Sequence, residues 1–291
     1  MLLLIVLFGG CTQLQKSEPI LITGKTKINR SGTYVLNGNI SCSGTGEADY
    51  CIGMWTADDI VLDCQGHTVD GEKQRGPASA GIMIVGASAE IRNCNIQNSY
   101  FGIFLKSDNC IFNNNTISNS GIAVYLDDMA NYNYFTNNTV TDNSKGINIF
   151  MRSSNNTFTN NTIRNNELLG IDITCGSNFN VFSNNIIENN GFGGIGDEIG
   201  GVFVINSYAN IFSNNRICKN AKSIECKFNV ITEGQTKTCQ PQAEPSEPSL
   251  AYYLSLDLKA QEAGNLIDGG GNICSPEDLT CENTLKCNIG C

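Results

Sequence analysis

The sequence predicts an all-β fold: a right-handed single-stranded parallel β-helix, with an N-terminal cap and a disulfide-rich C-terminal cap. Three observations carry the prediction. Glycine-led pentapeptides with alternating apolar residues recur through the middle of the chain: GIMIV (81–85), GIFLK (102–106), GIAVY (121–125), GINIF (146–150), GIDIT (170–174) and GVFVI (201–205). Each is followed, after a polar turn, by a second signature: IRNCNI (91–96), FNNNTI (112–117), FTNNTV (135–140), FTNNTI (158–163), FSNNII (182–187) and FSNNRI (212–217). The aromatic openers Phe112, Phe135, Phe158, Phe182 and Phe212 are spaced 23, 23, 24 and 30 residues apart. A near-constant period of this size, in units too small to bury their own apolar face, marks a solenoid.

The pentapeptides read as strands because their apolar residues alternate: Ile103 with Leu105, Ile122 with Val124, Ile147 with Ile149, Ile171 with Ile173. Period two directs each pair to one face, taken here as inward. Helical periodicity is missing, and Gly and Asn recur too often for helices. A leucine-rich repeat would need a Leu skeleton, and a propeller blade about 40 residues. Coils stacked about 4.8 Å apart fit instead.

In chain order, Leu2–Phe8 is a short apolar run followed by Gly9-Gly10-Cys11. Seven residues are too few to cross about 30 Å of hydrocarbon as a helix. Residues 1–11 therefore read as a signal or lipoprotein-type segment with Cys11 as the lipidation candidate. Residues 12–239 form the β-helix with its N-terminal cap. Residues 240–291 hold a linker, PQAEPSEPS (241–249), and a Cys-rich C-terminal cap. NLIDGGGNIC (265–274) has the form of a last coil.

Three residues beyond each opener stand Asn115, Asn138, Asn161, Asn185 and Asn215. One residue type at one lateral position of successive coils predicts a buried ladder of side-chain amides. Sequons at Asn114, Asn137, Asn155 and Asn160 then arise from the repeat itself. Cys64 and Cys94 head the same column, as a disulfide between adjacent coils or as buried thiols.

Fourteen cysteines point to an oxidising compartment. Beside Cys64 and Cys94, the disulfide candidates are Cys42 and Cys51 near the start, Cys218, Cys226 and Cys239 later, and Cys274, Cys281, Cys287 and Cys291 at the end. The spacing of the last four is not that of paired CxxC zinc ligands. With net charge −10, nucleic acid and anionic lipid are disfavoured as partners, so membrane contact would come only through a lipid anchor. A single histidine, His67, argues against His-based triads and metal sites.

The segment IVLDCQGHTVDG (60–71), followed by the GI and NNTI repeats, resembles the parallel β-helix repeat proteins of archaeal and bacterial surfaces. That group is related to the carbohydrate-binding and sugar-hydrolase β-helix superfamily and to NosD-type periplasmic copper-maturation proteins. The resemblance covers residues 28–231 and implies an extracytoplasmic monomer, secreted or lipid-anchored, whose partner is a polysaccharide or cell-surface glycan. It speaks to scaffold more than to chemistry.

Function must then lie on outward strand positions. The repeats place Met83, Phe104, Ala123, Asn148, Asp172 and Phe203 in one outward row, and Val85, Lys106, Tyr125, Phe150, Thr174 and Ile205 in a second. Aromatic rings on such a face can stack on sugar rings. The ligand-binding candidates are Phe104, Lys106, Tyr125, Asn148, Phe150, Asp172 and Phe203, against the competing reading that another segment covers the face. An enzyme, whether hydrolase or lyase, would draw on Asp127, Asp128, Asp172 and Arg152. Asp127 and Asp128 are two coils from Asp172, about 10 Å, which is marginal for an inverting pair. One His and five Met do not cluster, so a metal-maturation role would depend on cysteines, which an oxidising compartment pairs. No cofactor is expected; Asp197 and Glu198, in the Gly-rich insertion GFGGIGDEIGG (191–201), are candidate calcium ligands.

Overall fold

The computed structural model describes residues 18–42, 50–72, 79–193 and 199–221, and the backbone of four strands beyond them. The Cys11 and calcium expectations, the linker, and the cysteines 239, 281 and 291 lie outside the described residues. Among the described residues every regular element is a strand, and every strand pairing is parallel. The strands form three sheets of ten, ten and nine, and the chain visits the sheets in rotation, so the molecule is a parallel β-helix.

The phenylalanine sheet runs from Ile20–Ile22 through Ile111–Asn113, Tyr134–Thr136, Thr157–Thr159, Val181–Ser183 and Asn210–Ser213 to Leu266–Asp268. Its openers stack in register as Phe112, Phe135, Phe158, Phe182 and Phe212, with ring centroids 4.4, 4.7, 4.8 and 4.5 Å apart and planes within 15° of parallel. All five rings are at most 2% exposed, so the column is the spine of the core. The short-strand sheet contains Thr116–Ser118, Thr139–Thr141, Thr162–Arg164 and Ile186–Glu188, each sending its middle residue inward (Ile117, Val140, Ile163, Ile187). The strands Leu266–Asp268 and Asn272–Cys274 pair onto the last regular coil. The expected last coil therefore continues the same sheets, and Cys287–Ile289 pairs onto it in turn.

Corners between sheets are set by asparagine, and the work is divided between two neighbours. Asn114, Asn137, Asn160, Asn184 and Asn214 have φ from 54° to 58°, the left-handed backbone that turns the chain and that Asn tolerates better than most residues. Each next residue forms the expected ladder. Asn115 Nδ2 donates to Asn138 Oδ1 at 3.0 Å, Asn138 to Asn161 at 3.1 Å, Asn161 to Asn185 at 3.1 Å and Asn185 to Asn215 at 3.0 Å. The same Oδ1 atoms accept the backbone N–H of the preceding coil's asparagine, 2.9 Å throughout.

Two further ladders occupy the other corners. Asn133, Asn156, Asn180 and Asn210 link at 3.0 Å, and Asn143, Asn166, Asn190 and Asn220 at 2.9–3.0 Å. Cys94 heads the first column, its N–H donating to Asn115 Oδ1 at 3.0 Å, while its sulfur is bonded to Cys64 one coil earlier. Cys42 is likewise bonded to Cys51, and Cys175 and Cys218 are each disulfide-bonded. Cys110, outside the expected pairs, is a buried free thiol at the head of a second column, its N–H on Asn133 Oδ1 at 2.8 Å.

The third sheet carries the longest strands: Tyr50–Trp55, Ala80–Val85, Phe101–Lys106, Ile122–Leu126, Lys145–Ile149, Leu169–Thr174 and Gly200–Ile205 lie in sequence order. Its register corrects one expectation. Ile103 pairs with Val124, not Ile122, so the coil that begins at Gly121 is shifted by two residues. The corner imposes the shift: Ser120 takes a ladder position, its N–H on Asn143 Oδ1 at 3.0 Å, and the strand is measured from there. Ala123 therefore stands in the inward column of Gly81, Gly102, Gly146 and Gly170, fully buried, rather than outward. Ile122, expected inward, packs on the outside. That column is narrow, since a Cβ on Gly102 would lie 2.6 Å from the Ala123 carbonyl oxygen.

Candidate functional site

The outer face of the long-strand sheet has three outward positions per coil, because two consecutive residues, such as Gly102 and Ile103, both turn inward. The first row runs Tyr50, Ala80, Phe101, Ile122, Lys145, Leu169 and Gly200. The second runs Gly53, Met83, Phe104, Tyr125, Asn148, Asp172 and Phe203. The third holds Trp55, Val85 and Lys106. It continues through Asp127 and Phe150, one residue past the paired Leu126 and Ile149, to Thr174 and Ile205. The register shift moves Tyr125 from the row of Phe150 to that of Phe104 and Asn148, while the other expected ligand residues keep theirs.

Toward the N-terminal end the face is apolar. Ala80, Met83 and Phe101 form a second buried cluster, against which Tyr50, Trp55, Val85, Tyr100, Phe104, Ile122 and Tyr125 pack. Phe101 stacks on Tyr125 with centroids 4.8 Å apart. At the far end Lys25 and Lys27 sit over the Tyr50 and Trp55 rings, 5.4 and 5.0 Å from their centroids. Phe104, Tyr125 and Phe150 are half-buried and follow one another at 5.8 and 6.1 Å.

Next to these rings the face turns polar. A groove of about 470 Å³ is lined by Tyr125, Phe150, Lys145, Asn148, Asp172 and Asn206, among others. At its centre Asp172 Oδ2 accepts from Lys145 Nζ and from Asn148 Nδ2, both at 2.9 Å. Asp172 and Phe203 point outward yet are only 4% and 2% exposed, so neither offers an open surface. A charge this buried holds its place only while paired, so the trio fixes the groove's floor. Burial pushes the Tyr125 phenol well above its ordinary range, with the charge of Asp127, the neighbouring Tyr100 and the charge of Asp172 adding to it.

The acid candidates lie on two different coils and have different partners. Asp128, with left-handed backbone, forms an ion pair with Lys106. Asp127 points into the third row, its carboxyl raised by burial and then by the charge of Asp128. Asp172 is two coils away and committed to Lys145 and Asn148. Arg152 belongs to the corner after Lys145–Ile149, where its backbone N–H donates to the Cys175 carbonyl at 3.0 Å. Among the described residues no group of three or more His, Cys, Asp or Glu is placed to hold a metal ion. Sequence reasoning missed Lys145 and Asn206. Lys145 precedes the glycine from which the strand was counted, and Asn206 lies one residue past it.

Residues 58–217 match the family model of the right-handed beta helix region. Among solved structures, the fold resembles the periplasmic alginate epimerase AlgG, with a TM-score of 0.51 at 13% identity, covering 89% of this chain and 74% of that one. A D317A mutant of the same epimerase gives a TM-score of 0.52 at 12% identity, over 87% of this chain and 68% of that one. Endopolygalacturonase I from Stereum purpureum gives 0.43 at 17% identity, over 87% and 68%. No curated protein matches the chain.

Proposed function

The chain belongs to the right-handed beta helix family, and on that scaffold we propose that it is an extracytoplasmic glycan-binding module which holds a polysaccharide on the outer face of the long-strand sheet. One observation carries the reading. Three half-buried rings, Phe104, Tyr125 and Phe150, are staged on consecutive coils beside a groove of about 470 Å³ with polar groups on its floor. Such a platform matches the apolar face of a sugar, while flanking polar atoms meet its hydroxyls. Disulfides at Cys42–Cys51 and Cys64–Cys94 support an oxidising compartment. The alginate epimerase shares the fold at 13% identity, so the reading rests on the groove and not on that likeness.

Binding is preferred to catalysis because two of the three candidate carboxylates near the groove are held in ion pairs. Asp128 is paired with Lys106 and Asp172 with Lys145 and Asn148, which leaves Asp127, whose carboxyl burial holds above its ordinary range. The test is a glycan array with the intact protein and with Tyr125→Ala and Phe150→Ala. Each substitution is expected to weaken binding about fivefold, from the roughly 1 kcal/mol that a stacked ring contributes. Absence of binding, or binding indifferent to both changes, overturns the proposal. New reducing ends or unsaturated products from the same glycans would replace it with the enzyme reading.

A further inference from the structure

Around the groove, three buried side-chain oxygens have no hydrogen-bond partner: Asn148 Oδ1, Asn206 Oδ1 and Asp127 Oδ1. Asn148 is 8% exposed, and its amide cannot be turned to exchange oxygen for nitrogen, because Nδ2 donates to the Asp172 carboxylate. Asn148 and Asn206 line the groove, and Asp127 stands near enough to Tyr125 for its charge to act on the phenol. A buried oxygen without a donor is costly, so three of them at one site mark a place where donors arrive from outside. The cations nearby are already engaged with carboxylates, Lys145 with Asp172 and Lys106 with Asp128.

A second groove, of about 890 Å³, runs along the neighbouring corner and meets the first at Tyr100. Its polar lining includes Asn98, Asn119, Asn165, Asp142 and Glu167, with two carboxylates and, among the described residues, no Lys or Arg. A chain lying across Tyr100 from one groove to the other meets hydrogen-bond acceptors at one end and negative charge at the other.

We infer that the ligand is a hydroxyl-rich glycan chain whose sugars carry no acidic groups, long enough to span both grooves, and not a polyuronate. The inference rests on the glycan-binding reading above and narrows it. Sugar hydroxyls and acetamido N–H groups supply the donors that Asn148, Asn206 and Asp127 need. A uronate chain would bring one carboxylate per residue to a surface that offers it no uncommitted cation among the described lining residues and carries net negative charge.

The test is binding of the intact protein to two probe sets at low and high salt: neutral glucan and N-acetylglucosamine oligosaccharides of increasing length, and galacturonan and alginate oligosaccharides. The inference expects binding of a neutral series that tightens with length, insensitive to salt, and no uronate binding at low salt. Asn148→Ala and Asp127→Ala should each weaken the neutral ligand about fivefold. Asp127→Ala covers the case in which loss of Asn148 disturbs Asp172 and the fold, checked by thermal melting. Uronate binding at low salt, or neutral binding unchanged in the folded variants, overturns this inference and leaves the glycan reading in place. Binding to neither set overturns the glycan reading itself.

Discussion

Replacing Asn161 by Ala probes what holds the solenoid together, because the bonds that it severs can be counted. Asn161 Oδ1 accepts the backbone N–H of Asn138 at 2.9 Å and its Nδ2 at 3.1 Å. Asn161 Nδ2 donates to the Phe135 carbonyl at 2.9 Å and to Asn185 Oδ1 at 3.1 Å. Asn138 Nδ2 keeps its bond to the Phe112 carbonyl, and Asn185 Oδ1 keeps the Asn161 N–H, so both remain partly satisfied. The Asn138 N–H loses the acceptor provided by Asn161, at a site where Asn138 is 4% exposed. An orphaned buried donor costs about 1–3 kcal/mol, and each of the three further lost hydrogen bonds about 1 kcal/mol, so the variant should lose roughly 4–6 kcal/mol. The control is Asn160→Ala, one residue earlier and exposed, where the substitution affects only a left-handed backbone (φ 57°) at about 1–2 kcal/mol. Stacked coils need not unfold in one step, so denaturant curves should be followed by both circular dichroism and tyrosine fluorescence. A cost for Asn161→Ala no larger than that for Asn160→Ala would refute the ladder as the main lateral restraint.

Three further outcomes follow from the same geometry. Phe158→Ala opens the centre of the aromatic column and should cost about 3–5 kcal/mol in the same denaturation assay; a loss below that of an ordinary Leu-to-Ala change would show that the column relaxes around the gap. Burial alone would raise the Asp63 and Asp70 carboxyls, yet hydrogen bonds from Asn93, the Gln65 N–H and Arg92, and from Gln97, the Glu72 N–H and Asn98, hold both below their ordinary 3.8. Groups held low stabilise the fold above that value and lose the contribution as pH falls through the folded one, so stability should drop below about pH 4 and Asp63→Asn should flatten the drop; an unchanged acid profile counts against it. Burial pushes the Cys110 thiol up to about 12, so a thiol reagent at neutral pH should label it only after denaturant is added, as mapped by peptide mass; labelling in the native state contradicts the buried assignment.

What could be read in advance, and what could not, divides along the physics of the repeat. The phenylalanine column and the Asn115–Asn215 ladder were legible because each coil commits one residue type to one lateral place. The other two ladders obey the same rule, two residues before and eight residues after each opener, and were missed because the count was made in one frame only. The long-strand sheet misled because Gly121 imitates Gly102 in sequence. Register is fixed at the corner by Ser120 and Asn143, across coils and out of reach of local pattern. The candidate face inherited that slip: Phe104, Asn148 and Asp172 were placed together correctly and Tyr125 was not. Lys145 and the acceptor oxygens of Asn148, Asn206 and Asp127 owe their interest to what is or is not beside them in three dimensions, which no linear spacing encodes.

The asparagine columns also have a direction. From amide to amide the bonds run one way, a backbone N–H and an Nδ2 on one coil donating to the Oδ1 of the asparagine on the coil that follows, while each Nδ2 also donates back to a backbone carbonyl of the coil before. At these columns a nascent chain is therefore one coil short of satisfying itself: each finished turn presents backbone N–H groups whose Oδ1 acceptors belong to the next turn. Growth from the N-terminal end adds acceptors to waiting donors. At the ladder, a chain interrupted midway ends in backbone N–H groups without their Oδ1 acceptors, whereas one whose first coils are removed ends in Oδ1 atoms without those donors and Nδ2 groups without their carbonyls. At these columns the two ends of such a rod are chemically unlike.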